Sequence, residues 1–448
     1  MDDKYLKVAD KLIKFILSSN QAPYFREYTN IQNGKSFGNL MIEDLGDTMP
    51  FLFWAGQNLD FKYSEIADNA SKFFIKKFQQ NDGFFTTEPK FGFIYNFDKM
   101  TDISLGLNIM YLLTNNHVHL DASKKLFDAI GKFTDGFIPY LYFVSLRFGL
   151  NFSSGKFGLY IEELCNLYNF TGDRKYLKIA KNISLFWINN KYFKENGLFP
   201  FVVKSKFIKD LVNILFRKKF GFNIDSAMSS KANTNLVYGL NALYKITKDM
   251  EIYTALQKWH SGVRSKFLCE DGSLFCLYDK KSSHKFLGCD HAVADCFLEL
   301  YISTKEKKFL EDAEKIANFW IKKQNRSGLV QQGVEGYKVC ADPNMEYGNN
   351  PQYFRLDPQV DFFVVLIKLY KLTKKKIYYV KSLKLLNGIC KYHNFNSGFV
   401  NILDENKNKL SYIIETKFLF LVLKALMFGN YKDRIYKDST IRLLMRDR

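Results

Sequence analysis

GLYIEELCNLYNFTGDRKYLKIAKNISLFWINNKYFKENGLFP, residues Gly158–Pro200, contains the unit from which the chain is built. It reads as a helix ending at Leu167-Tyr168-Asn169-Phe170-Thr171, a tight turn at Gly172-Asp173, and a second helix from about Arg174 to Asn190. A short excursion, Glu195-Asn196-Gly197-Leu198-Phe199, leads out of it. Self-similarity of this kind points to a repeat architecture, because one helical hairpin cannot bury its apolar face alone.

Working outward, the same unit recurs. Toward the N-terminus, a first hairpin begins near Glu43-Asp44, carries Met49 to Trp54, stops at Gly56, and continues with a partner over about Tyr63–Gln79. A second ends its first helix at Tyr111-Leu112-Leu113-Thr114. Beyond the quoted copy, the first helices end at Leu243–Thr247, Leu300–Thr304 and Leu369–Thr373, and their loops carry Asp271-Gly272, Ser327-Gly328 and Ser397-Gly398. The first helix of each copy is apolar nearly all round, as in FFVVLIKLYKL, and suits an inner position. The second is amphipathic with lysines on one face, as in EKKFLEDAEKIANFWIKK, and suits an outer one. A helix over residues 3–19 lacks a predecessor, and a last helix, Glu415–Phe428, lacks a successor, so these two are expected to pair.

The expected fold is therefore all-α: a closed (α/α)7 toroid in a single domain, residues 1–448, with an (α/α)6 barrel as runner-up. An open solenoid needs polar caps, and the apolar last helix is a poor one. Residues 20–39 read as a polar loop. An insert at about 200–232 breaks the period. Its KSKFIKDLVNILFRKKF (204–220) reads as a basic amphipathic helix, either a lid or a contact with an anionic membrane surface.

The net charge of +19 favours anionic partners. No RNA- or DNA-binding motif is present, so nucleic acid is not an expected partner. The seven cysteines include no C-x-x-C pair, and Cys269, Cys276, Cys289 and Cys296 are not spaced as zinc ligands. They read as reduced, mostly buried thiols. With no signal peptide and no run of eighteen apolar residues, the expected location is cytoplasmic.

Polar residues recur twelve to sixteen positions before the threonine that ends each inner helix, with Gly56 and Gly429 as stand-ins. They are Asp44, Asp102, Asn233 with Asn235, Asp290 with His291, Asp357 with Gln359 and Asp361, and Glu415. In a toroid these helix starts open on one face, and converging carboxylates are what acid–base cleavage of a glycoside needs. Asp and Asn at helix starts also serve as N-caps. Glu415 and His291 are weak caps, however, and Asp357, Gln359 and Asp361 exceed what one helix needs. Glu162 and Glu163 lie deeper in an apolar inner helix, where burial is costly without a partner.

The unit Leu167–Ala180 resembles that of the (α/α)-toroid carbohydrate enzymes: sugar 2-epimerases, unsaturated glucuronyl hydrolases and α-mannosidases of glycoside hydrolase family 47. Seven hairpins point to the last of these. Leu159–Tyr176 looks like that family's third repeat, with Glu163 at its acidic position. Asp290-His291-Ala292-Val293 resembles its Asp-His-Leu-Val patch, whose Asp is catalytic. Ile414–Phe420 resembles its C-terminal Ala-Glu-Thr-Leu-Lys-Tyr-Leu motif, and Thr440 falls about where it places a calcium-binding threonine. The family's Arg-Pro-Glu, which carries the base, corresponds to Arg355-Leu356-Asp357, followed by Pro358-Gln359 and Asp361. Its Phe-Glu, which carries the acid, corresponds to Phe97-Asp98, with Asp102 a turn later.

The resemblance implies an inverting glycosidase acting on a carbohydrate or glycoconjugate, with Ca2+ as the implied metal. Asp98 or Asp102 would be the acid, Asp290 a second carboxyl, and Asp357 or Asp361 the base. Glu163, Asn233, His291, Arg355 and Glu415 would line the sugar site. Two other readings stand beside it: an epimerase or lyase on an acidic glycan using His284 or His291, and a non-catalytic glycan-binding scaffold at a membrane.

Overall fold

A computed structural model describes residues 3–42, 44–86, 94–95, 97–134, 142–143, 154–200, 230–275, 285–334 and 350–430. In chain order its helices are α1 (Asp3–Asn20), α2 (Met49–Asn58), α3 (Phe61–Phe78), α4 (Phe97–Thr114) and α5 (His117–Thr134). They continue with α6 (Ser154–Thr171), α7 (Arg174–Ile188), α8 (Lys191–Asn196), α9 (Ser230–Thr247) and α10 (Met250–Lys266). The last are α11 (Leu287–Thr304), α12 (Lys307–Lys323), α13 (Leu356–Thr373), α14 (Lys376–Gly388) and α15 (Thr416–Asn430). No described helix is long and apolar enough to cross a membrane.

The inner helices α4, α6, α9, α11 and α13 each run 18 residues and end on a threonine. The threonine is there for a physical reason. Its hydroxyl donates to the carbonyl four residues back and accepts from the backbone N–H two residues on, as Thr171 does with Leu167 (2.7 Å) and Asp173 (3.1 Å). Thr114, Thr247, Thr304 and Thr373 repeat both bonds. One residue with positive φ separates the two helices: Asn115, Gly172, Lys248, Lys305 or Lys374. Three lysines hold this conformation, so the glycine of the quoted unit is a convenience at that point and not a requirement.

The described residues group into two compact units. The first comprises the described residues up to Ile130, Gln324–Val330 and those from Tyr353 onward. In it the inner helices pack in the order α4, α2, α15, α13, with α3 behind α2 and α14 behind α13. The helix α1 packs on α15, which is the pairing expected of the two unmatched helices. The polar segment after α1 is not a loop. It forms an antiparallel hairpin, β1 (Arg26–Asn30) and β2 (Lys35–Leu40), turned at Asn33-Gly34. Asn-Gly between two short runs favours such a turn. The strand Ile413–Glu415 pairs with β1, placing Glu415 opposite Tyr28.

The second unit comprises the described residues within Gly131–Lys323 and Gln331–Gln352. Its inner helices pack in the order α6, α9, α11, backed by α7, α10 and α12. The helices α6 and α9 meet backbone to backbone. A methyl group on Gly158 would sit 1.7 Å from the Asn235 carbonyl oxygen, and one on Gly239 would sit 2.3 Å from the Gly158 oxygen. Only glycine permits that approach. The insert expected at about 200–232 falls almost entirely outside the described residues.

Candidate active site

Three of the polar residues at inner-helix starts share one structural task. Asn233, Asp290 and Gln359 are each the fourth residue of their helix. Each accepts a backbone N–H from the loop that precedes the helix: Phe199 to Asn233 at 2.7 Å, Leu274 to Asp290 at 3.2 Å, Val330 to Gln359 at 3.1 Å. The donor always lies two residues past a glycine of positive φ, namely Gly197, Gly272 or Gly328. Each glycine rests on the outer helix of the next hairpin, against the carbonyl oxygen of Lys258, Lys315 or Lys384. The fourth position is therefore a latch that fixes the loop before α9, α11 and α13.

At Asp290 the latch is fully buried. Oδ2 also accepts from the indole Nε1–H of Trp320 at 2.8 Å, and Oδ1 has no hydrogen-bond partner. Burial pushes its pKa well above the usual carboxylate range, only partly opposed by the bonds from Trp320 and Leu274. Asn233, the equivalent residue of α9, is likewise buried. Both side chains are taken up by the loop they hold.

In the first unit, separate ion pairs lie near the starts of the neighbouring helices α13 and α15. Arg355 forms a bidentate pair with Asp357, Nε to Oδ1 and Nη2 to Oδ2, both at 3.2 Å. Such a fork fixes the carboxylate plane as well as its charge. The strand Phe354–Arg355 pairs with Ile402–Leu403, and the Gln359 amide donates to the Arg355 carbonyl at 2.9 Å. The same amide lies 3.1 Å from Nε2 of buried His393, whose Nδ1 bonds the Val400 carbonyl at 2.8 Å. Burial lowers the His393 pKa to about 4, so this histidine is a neutral part of the scaffold.

Two lysines of α15 hold the other carboxylates. Nζ of Lys417 bridges Asp44 Oδ1 at 3.3 Å and Glu415 Oε2 at 3.1 Å. Nζ of Lys424, 2 % exposed, lies 3.8 Å from Asp361 Oδ1 and over the Phe51 ring. Desolvating an ammonium is tolerated only with such a partner. Asp361 is thereby buried with its cation, whereas the side chains of Asp44, Asp357 and Glu415 remain part-exposed. An ion-paired, part-exposed carboxylate is held in a fixed orientation within reach of solvent.

The remaining expected residues are more scattered. Glu163 is buried in α6, with Oε1 accepting from Asn166 Nδ2 one turn on at 3.1 Å, and Glu162 is buried beside it. His291 is buried in α11. Asp102 is half-buried in α4, Asp98 is placed by its backbone in the first turn of that helix, and Thr440 lies outside the described residues. Among the described residues no group of three or more His, Cys, Asp or Glu is placed to hold a metal ion. Cys289 is disulfide-bonded, which corrects the expectation of reduced thiols throughout, although Cys165, Cys269, Cys296 and Cys390 are free. Such a bond is uncommon in reducing compartments.

The partners Trp320, His393, Lys417 and Lys424 are not among the site residues expected from the sequence. Lys424 did leave a trace, as a lone cation in the apolar run FLFLVLKALM.

No protein-family model matches the chain, and no curated protein matches it in sequence. Solved structures do match. The chain is similar to an α-1,2-mannosidase from Trichoderma reesei, with a TM-score of 0.68 at 13% identity over 96% of this chain and 94% of that one. It is also similar to a GH76 α-mannanase from Bacteroides thetaiotaomicron (TM-score 0.55, 12% identity, 95% of each chain). A cellobiose 2-epimerase from Bacillus thermoamylovorans B4167 matches with a TM-score of 0.55 at 11% identity, over 79% of this chain and 95% of that one. The fold class is theirs: an all-α (α/α) toroid.

Proposed function

We propose that the protein is an inverting glycoside hydrolase acting on an α-mannosidic glycan, with its base at Asp357. The observation that carries this is the Arg355–Asp357 fork, a fixed and part-exposed carboxylate at the start of α13. The fold likeness to a mannosidase and a mannanase supports the substrate class. In this reading Asp357 takes a proton from the attacking water, and Asp98 or Asp102 of α4 protonates the departing glycosidic oxygen. Arg355 positions the base, and Glu415 and Asp44, held by Lys417, bind sugar hydroxyls. Asp290 leaves the set of reacting groups, because its carboxyl is consumed by the latch.

Incubation of the purified protein with α-linked manno-oligosaccharides, followed by proton NMR of the first product formed, tests the proposal. Inversion predicts β-mannose before mutarotation. Release of α-mannose would overturn the mechanism, and interconversion of free sugars without cleavage would establish an epimerase instead.

A further inference from the structure

The longest acid-free stretch of the sequence runs from 362 to 403 and carries eight lysines. Its outer helix is α14, preceded by Lys374 and Lys375 and opening with Lys376, all exposed. Along its outward side Ile377, Val380, Lys384 and Asn387 follow one another at intervals of three or four, and Lys391 continues the line in the π-helical turn Ile389–His393. All five are exposed. Ile377 is 46 % and Val380 58 % exposed, high for β-branched aliphatic side chains on a helix. Beside this line lies an open groove of about 480 Å³, whose lining includes Arg326, Tyr379, Lys384, Lys391 and Tyr392 and no acidic residue. Lys4 adds another cation at its edge through a 2.8 Å bond to Asn387.

We infer that α14 and this groove form a docking surface for an anionic lipid bilayer. Cations alone would equally suit an acidic glycan or a nucleic acid. The two exposed aliphatic side chains favour the bilayer over these polyanions, since a bilayer interface rewards their burial together with the lysines and a glycan or nucleic acid does not. Tyr379 and Tyr392 suit the headgroup level, where amphipathic rings settle. The charge complementarity is one-sided: no acidic side chain within the 362–403 stretch offsets the lysines. This surface is separate from Asp357 and does not depend on the proposed hydrolysis.

Flotation of the full chain with vesicles tests it. The chain should float with phosphatidylcholine vesicles containing phosphatidylserine and not with phosphatidylcholine alone, and added salt should release it. The K384E/K391E variant should bind at least roughly 30-fold more weakly, from the loss of two surface cations. The I377N/V380N variant should also bind more weakly at unchanged charge. Both change exposed residues, and circular dichroism verifies that they fold. Absence of binding, equal binding to neutral vesicles, or binding that survives both variants would overturn the inference. So would binding to a soluble acidic polysaccharide but not to vesicles.

Discussion

Trp320 donates its indole N–H to Asp290 at 2.8 Å, joining the two helices of one hairpin through a carboxyl that solvent does not reach. The relationship makes Asp290 a fastener. Its equivalent in α9 is an asparagine, Asn233, which accepts the same loop N–H. Asp290→Asn should therefore fold, since an amide oxygen can accept from both Leu274 and Trp320. The pH response should change. Burial raises the folded pKa of Asp290, so above the unfolded value of 3.8 the native state holds a proton that the unfolded chain releases. Stability is then lost as pH rises toward the folded pKa. Melting curves between pH 4 and 7 should show that loss in the wild type and a shallower one in Asp290→Asn. Identical slopes would remove the buried neutral carboxyl from the account.

His393 works in the opposite direction. Burial lowers its folded pKa to about 4 from 6.5, so the unfolded chain binds the extra proton between these values. Stability present above pH 6.5 is lost as pH falls toward 4, by about 3 kcal/mol if the group acts alone. His393→Gln removes the titrating ring and should flatten this acid limb in denaturant titrations. An unchanged acid limb would show that His393 is hydrated or charged in the native state.

The backbone contact of α6 and α9 predicts a steep and local cost. Gly158→Ala places a methyl group 1.7 Å from the Asn235 oxygen, and the helices must part. The loss should be about 3 kcal/mol or more. Gly172→Ala has a positive φ of 71° but meets nothing within 4 Å, so it should cost only about 1 kcal/mol. Chemical denaturation of the two variants measures both. Similar losses would mean that the helices can relax at the crossing.

The repeat was legible because its copies reuse the same local chemistry: a threonine bridging the end of five inner helices, an acceptor at the fourth position of three of them, and a glycine resting on the next outer helix. The hairpin β1–β2 was not legible despite Asn33-Gly34, because its strands are polar and lack the alternation that marks a half-buried strand. The candidate site was legible only in part. Helix starts such as Asp290 and Asp357 are chemically alike in the sequence, and what separates them is a partner far along the chain or two residues away. Trp320, thirty residues from Asp290, turns it into a buried fastener. Arg355, two residues from Asp357, leaves that carboxylate fixed and part-exposed. Spacing carries no information about which partner is met.

The central claim is that Asp357, and not Asp290, reacts. Sugar release from α-linked manno-oligosaccharides by wild type, Asp357→Asn and Asp290→Asn, with folding checked by circular dichroism, tests it most directly. The account predicts release by the wild type, a loss of about 1,000-fold in Asp357→Asn at unchanged fold, and activity within about tenfold of wild type in Asp290→Asn. Near-normal turnover in Asp357→Asn, or abolished turnover in a folded Asp290→Asn, would contradict it.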